Sequence, residues 1–424
     1  MALSATIRFR SLAAAASLLL AQAGASGQSR PVEMQRAAPR DVGLSVDKLA
    51  KVKTLVQARV DKQQIAGAVV LVARHGKIAF WESFGKLDLK SGKPMPPDAI
   101  FRIYSMTKPI TSVAALMLVE AGKIELDDPV GKYLPNLKDL RVYAGKDRTI
   151  EAKRPVTIRD LMRHTSGFTY GLPDGSAVDR LYIQYRVGEG SLADLVHTLG
   201  RLPLQDQPGV RFNYSVSTDV LGRVIEIASG EPLDRFLREQ IFLPLDMRDT
   251  GFTIADESLR RLTTSYVRDA KGGLHVNDAP STSVYRKQPR FVSGGGGLLS
   301  TARDYCRFGQ MLLNGGQLDG TRLLKPDTIK QMTSNQLPPV AMPLRLGGFP
   351  LPGYGFGLGV MMRLEARSGP THFDGEYSWS GSSNTYFWVA PKLERIVIIL
   401  QQVEPIDLST QLQLKPILDS AIAD

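Results

Sequence analysis

The 424-residue chain predicts an α+β fold: an antiparallel sheet assembled from both ends of the chain, flanked by helices, with a mainly helical lobe between. Three observations predict it. β-rich runs cluster at 66–85 and again at 354–364, 384–390 and 395–402. Helical patterns fill much of the middle, notably 216–229 and from Pro232 to Phe242. Between the first strands and that middle lies an almost uniformly apolar helix, FRIYSMTKPITSVAALMLVE, from Phe101 to Glu120, and a helix apolar on all sides is buried.

Taken in order, residues 1–25 read as a secretory signal peptide. Arg8 and Arg10 make a basic start, SLAAAASLLLA is too short to span a bilayer, and Ala21-Gln22-Ala23 and Ala23-Gly24-Ala25 are small-x-small cleavage sites. The mature chain is therefore expected to be periplasmic or secreted, without membrane insertion after cleavage. Residues 26–43, polar and holding Pro31 and Pro39, read as a loose leader, and 44–424 as the folded domain. Within it the sheet lobe takes about 44–130 and 290–424, and the helical lobe about 131–289.

Ser45 reads as the N-cap of an amphipathic helix over 45–60. AGAVVLVARHG and KIAFWESFG meet at His75-Gly76 as a hairpin. Gly122 stops the central helix, and Pro109 is tolerable only near its first turn. Residues 137–156 read as irregular, Thr157 and Asp160 as a capping box, and 170–200 as loosely ordered helix. The 251–292 region reads as loop with weak strands. SGGGGLLSTARDYCRFGQMLLNGG holds four glycines, a Ser-Thr helix start and a Gly-Gly stop, and a terminal helix takes 408–422. The simplest packing covers the sheet with the two terminal helices and the central one.

Composition is that of an ordinary globular protein, 43% hydrophobic and 22% charged. The net charge of +11 falls to about +9 without the signal peptide, and its basic residues are scattered without aromatic interleaving, which argues against nucleic-acid binding. Cys306, the only cysteine, excludes an intrachain disulfide and sits in an apolar helical pattern, where it packs as a small hydrophobe. His75, His164, His197, His275 and His372 show no metal spacing, so no metal is expected. His164, in HTSGF, reads as structural, bonding backbone near its Ser-Gly turn. There is no Gly-x-Ser-x-Gly elbow, and the tetraglycine at 294–297 lacks the Gly-Lys-Ser of a phosphate loop. Those glycines instead suit close backbone approach beside a cleft.

The chemistry points to Ser105 and Lys108. Residues three apart share a helix face, so a hydroxyl and an amine meet at the entry of a buried helix: a nucleophile beside a base. About two Ser-x-x-Lys pairs are expected by chance in a chain this long, and the second, Ser45 to Lys48, is an ordinary cap with a solvated lysine. Context separates them, since a lysine in the first turn of a core helix is costly without a function. A free lysine is almost wholly cationic at neutral pH. Burial and the positive end of a helix both disfavour that cation, so a core helix entry is where a lysine serves as a base.

Three motifs in order then resemble the serine β-lactamases and penicillin-recognising hydrolases, above all class C β-lactamases and the related family VIII carboxylesterases. They are Ser105-Met106-Thr107-Lys108, Tyr214-Ser215-Val216 and Trp379-Ser380-Gly381, with similar flanks in LDDPVGKYLP, LMRHTSGF and SGGGGLLSTARDY. The resemblance covers roughly 40–420 and implies a β-lactamase-like fold and no cofactor. It implies that Ser105 is acylated, that Lys108 and Tyr214 move its proton, and that the backbone amides of Ser105 and Ser382 form the oxyanion hole. Val216, Trp379 and Gly381 fall at substrate-binding positions. Val216 stands where class C enzymes carry asparagine and Trp379 where they carry lysine, which disfavours anionic β-lactams and favours neutral esters. The expectation is an exported serine hydrolase of short-chain carboxylic esters, acting on a small-molecule ester or β-lactam. A β-lactamase or D-alanyl peptidase, and a non-catalytic penicillin-binding or cell-wall-sensing protein, are the alternatives. Oligomeric state leaves no signal.

Overall fold

The computed structural model describes residues 34–146, 148–364 and 375–423. The expected signal peptide, the first part of the leader and His372 lie outside the described residues. From Met34 the leader is tied to the domain rather than loose: Ala37 N–H donates to Ile78 O at 3.0 Å, Pro39–Val42 form a 3-10 turn, and Val42 is buried.

Seven antiparallel strands build the main sheet. In chain order they are β1 (Gly67–Arg74), β2 (Lys77–Gly85), β3 (Tyr354–Phe356), β4 (Met361–Arg363), β5 (Tyr377–Gly381), β6 (Thr385–Ala390) and β7 (Arg395–Leu400). In space the order is β3-β4-β5-β6-β7-β1-β2, so β7 against β1 joins the two ends of the chain, with Val70 opposite Ile399. β7 is buried at every residue, as a strand covered on both faces must be. Alternate residues divide between two layers. Ala68, Val70, Val72, Val397 and Ile399 face α1 (Val46–Asp61) and, from the far end of the chain, the terminal helix Ser409–Asp419. Val69, Leu71, Ile396 and Ile398 face the main core.

The central helix α2 (Thr107–Glu120) is buried along nearly its whole length, and Gly122 follows it at φ +68°. It does not cover the sheet in the way expected. That face is taken by α8 (Ala302–Leu313), whose Gly309 would, with a Cβ, come within 3.3 Å of Ile396. α2 packs instead on the helices of the middle of the chain, α6 (Ser217–Ser229) and α7 (Leu233–Leu237), and meets β5 and β6 through the 3-10 turn Tyr104–Met106 at its start. The physical reason is that an all-round apolar helix needs neighbours on every side, whereas α8 presents one apolar stripe to a sheet.

The remaining helices of the middle are α3 (Ile158–Met162), with the expected Thr157–Asp160 capping box, α4 (Ala177–Gln184) and α5 (Leu192–Leu199). The 137–156 stretch contains a short hairpin, Arg141–Tyr143 with Thr149–Glu151, that its polar sequence hid. In the 251–292 region Ser265–Arg268 pairs with Leu274–Asp278 and, in parallel, with Val403–Glu404. Among the described residues no helix is long and apolar enough to cross a membrane.

Candidate active site

Ser105 lies half-buried in the turn that leads into α2, just after Tyr104, which holds the left-handed conformation at φ +42°. A non-glycine residue there is strained and must be held by its surroundings. Lys108, fully buried one turn on, brings its side-chain nitrogen within hydrogen-bond distance of three oxygens. Nζ is 3.1 Å from Ser105 Oγ, 2.8 Å from the Tyr170 hydroxyl and 2.6 Å from Gly295 O. The hydroxyl and the amine that the spacing predicts to meet at the helix entry are therefore in contact.

The glycine loop makes the third of these contacts. Asp219, on the first turn of α6, accepts from Ser293 Oγ at 2.5 Å and from Gly295 N–H at 3.0 Å, and Thr111 Oγ1 donates to Gly294 O at 2.7 Å. The loop runs so close that a Cβ on Gly294 would stand 2.8 Å from Thr218 O, and one on Gly295 2.7 Å from Asp219 Oδ2. Close backbone approach is thus what these glycines provide. Gly294→Ala opposes a Cβ to a fixed carbonyl and should cost about 1–3 kcal/mol of stability, read from the urea midpoint, with a lower kcat as Gly295 O moves from Lys108. An unchanged midpoint and kcat would mean that the loop yields freely.

Two turns carry the tyrosines. Asn213 N–H donates to His164 O and Asn213 Nδ2 to Phe168 O, both at 2.8 Å, and Ser166 and Ser217 share a hydrogen bond of 2.7 Å. This lacing sets Tyr170 beside Tyr214, with ring centroids 5.2 Å apart. The Tyr214 ring lies 4.6 Å from Lys108 Nζ, and its buried hydroxyl has no hydrogen-bond partner among the described residues. The hydroxyl bonded to Lys108 belongs to Tyr170, three residues past HTSG, which sequence reasoning missed. Its signal was the tyrosine closing HTSGFTY, but 62 residues separate it from Lys108 in the chain. Burial, then Tyr214 and Asp219, push the Tyr170 phenol well above its ordinary pKa, so it stays protonated.

His164 corrects an expectation. Its ring makes no hydrogen bond to backbone; both nitrogens are buried without a partner among the described residues, and the ring packs 4.8 Å from Tyr214. Burial, then nearby Lys108, holds its pKa well below the usual histidine value, so it is a neutral packing group.

Trp379 on β5 is 4% exposed, edge-on to Phe356 at 5.1 Å and 5.3 Å from Tyr214, with its indole N–H unpartnered. Val216 is 6% exposed and packs in the same core just before α6. The wall beside Lys108 and Tyr214 is thus aromatic and aliphatic. Gly381 ends β5 against Ile103, where a Cβ would stand 2.3 Å from Ile103 O, and Thr385 Oγ1 also donates to that oxygen at 3.2 Å. This seats the turn carrying Ser382 against the turn carrying Ser105. Among the described residues no backbone carbonyl accepts the amide hydrogen of Ser105 or of Ser382.

The other candidates lie elsewhere. His75 pairs with Glu394 and His275 with Asp269 at the surface. Cys306 is fully buried, and burial pushes its thiol up to about 12. Among the described residues no three His, Cys, Asp or Glu side chains cluster so as to hold a metal ion.

The chain is 37% identical over 358 residues to Protein Rv1367c of Mycobacterium tuberculosis, covering 82% of this chain and 88% of that one. It is 31% identical over 374 residues to Esterase EstB of Burkholderia gladioli, covering 83% and 89%. The solved structure of EstCE1, described as a hydrolase with promiscuous acyltransferase activity, superposes with a TM-score of 0.76 at 28% identity, covering 88% of this chain and 98% of that one. Residues 52–412 match the Beta-lactamase family model, and with the serine–lysine pair in place at the head of α2 the chain belongs to that family.

Proposed function

We propose that the protein is an exported serine hydrolase that cleaves short-chain carboxylic esters through a Ser105 acyl-enzyme. The observation that carries this reading is the fully buried Lys108 amine 3.1 Å from Ser105 Oγ. Ser105 Oγ attacks the ester carbonyl and its proton passes to Lys108. The amide hydrogens of Ser105 and Ser382 receive the oxyanion, a contribution of roughly 3–4 kcal/mol per donor. Tyr214, whose hydroxyl has no protein partner among the described residues, relays the proton to the departing alkoxide, while Tyr170 holds the lysine in place. The C–O bond breaks and the alcohol leaves. Water then attacks the acyl-enzyme, gives its proton back through the same groups, and releases the acid.

Preference for esters rests on Val216 and Trp379. An apolar wall offers no hydrogen bond to a β-lactam side-chain amide and no charge to its carboxylate, and unpaired polar groups are costly to bury. Export rests on the signal-peptide pattern of residues 1–25. The description of EstCE1 supports acyl transfer to an alcohol as a second outcome of the same acyl-enzyme.

The deciding test compares kcat/KM of the purified mature chain for p-nitrophenyl butyrate and for nitrocefin. The expected result is rapid ester turnover with nitrocefin cleavage weaker by about two orders of magnitude, as for loss of two polar anchors at roughly 1–3 kcal/mol each. Comparable nitrocefin cleavage would make the protein a β-lactamase. A stable adduct without turnover, seen by mass spectrometry, would make it a penicillin-binding or sensing protein.

A further inference from the structure

We propose that Asp219 is a positioning residue that holds the Gly295 carbonyl on Lys108 and so aims the amine at Ser105; the inference rests on the hydrolase reading above. Asp219 is 3% exposed, and among the described residues it forms no salt bridge. A carboxylate buried without a cation is costly and needs strong donors. The first turn of α6 supplies part of the compensation, since the positive end of a helix favours an anion. The rest comes from the glycine loop, whose Ser293 hydroxyl and Gly295 N–H both donate to Oδ1, at 2.5 and 3.0 Å.

The loop backbone is gripped from two sides. Asp219 takes the N–H of the peptide between Gly294 and Gly295, and Thr111 Oγ1 donates to the C=O of that same peptide at 2.7 Å. Thr111 lies on α2, as Lys108 does, and Asp219 on α6. One peptide unit is therefore clamped between the helix that carries the amine and the helix that follows Tyr214 in the chain. The next carbonyl, Gly295 O, accepts from Lys108 Nζ at 2.6 Å, the shortest of the three contacts of that nitrogen. Glycine is the residue type with the most backbone freedom to lose, so a glycine loop keeps one conformation only where its peptides are held from outside.

The amine needs such a hold. A lysine carries its charge on a flexible four-carbon stem, and Nζ must stay on Ser105 Oγ, 3.1 Å away. Tyr170 fixes it by one contact and Gly295 O by another. The titratable groups beside the amine are Tyr170, Tyr214 and His164, and Asp219 acts on it through the Gly295 carbonyl.

The test uses the full chain and p-nitrophenyl butyrate, with rates normalised to Ser105 sites titrated by a p-nitrophenyl alkylphosphonate. Asp219→Ala should lower kcat per titrated site about 10- to 100-fold, as for a catalytic group displaced by about 1 Å, with KM almost unmoved. Asp219→Asn, whose amide oxygen can accept from both donors, should recover most of the loss. Thr111→Val releases the other side of the same peptide without removing a charge, and should also lower kcat. In Asp219→Ala and in Thr111→Val the acidic limb of the kcat/KM profile should move to lower pH, because an ammonium that loses an acceptor gives up its proton more readily. Wild-type kcat per titrated site in Asp219→Ala, a loss confined to the fraction of titratable sites, an Asp219→Asn variant as slow as Asp219→Ala, or an acidic limb unmoved in Thr111→Val would each overturn the proposal. A wild-type chain that neither labels at Ser105 nor turns over ester overturns the hydrolase reading and this inference with it.

Discussion

Replacing Ser105 with alanine should reduce ester turnover by about 10⁵-fold or more and abolish phosphonate labelling, as for loss of the nucleophile in other serine hydrolases. The side chain is chemically central but structurally minor. Its side-chain hydrogen bond among the described residues is with Lys108, which keeps its contacts with Tyr170 and Gly295 when Ser105 is truncated. The melting temperature should therefore move little, and loss of activity with an intact fold separates catalysis from stability. Normal turnover in Ser105→Ala would sink the site assignment altogether.

Lys108→Met should lower kcat by about 10³- to 10⁴-fold, the upper part of the range for general acid–base groups. Methionine keeps the length and apolar character of the buried stem but leaves the Tyr170 hydroxyl and Gly295 O without their partner. Each unpaired buried group costs about 1–3 kcal/mol, so this variant should also be less stable, unlike Ser105→Ala. The tyrosines divide the same way. Tyr214→Phe should cost about 10²-fold or more in kcat with no loss of stability, because its hydroxyl bonds nothing among the described residues. Tyr170→Phe removes a hydrogen bond to Lys108 worth about 1–3 kcal/mol and should destabilise the chain with a smaller effect on kcat. If the two phenotypes are exchanged, Tyr170 is the proton relay and Tyr214 the packing group. A mild effect of Lys108→Met on kcat would mean that another base serves Ser105.

The parts of the site legible in the amino-acid order are those made by short-range geometry. Ser105 and Lys108 are three residues apart on one helix, so their contact follows from helix pitch once the apolar run makes the helix buried. The glycines at 294–297 were legible as a close approach because no other residue type lacks a Cβ, although what they approach, Asp219, Thr218 and Lys108, was not. Tyr214 and Trp379 were found through the order of their motifs rather than through periodicity.

The sheet was legible for a similar reason. Runs such as VVLV in β1 and RIVIIL in β7 are β-branched and short, and only pairing across the ends of the chain buries both faces of each. Which helix covers the inner face was not legible, since α2 and α8 each offer an apolar face and the choice depends on how many sides of each must be buried.

The sequence by itself determined a buried serine–lysine pair, an α+β architecture closed through its two ends, and membership of a serine hydrolase family. Tertiary structure alone decided that Tyr170 rather than Tyr214 bonds the lysine and that His164 is a neutral packing group. The reason is physical. Periodicity encodes which side chains share a face within one element, whereas hydrogen bonds between loops 60 to 300 residues apart depend on how those elements are stacked, and short turns carry no period from which to read it.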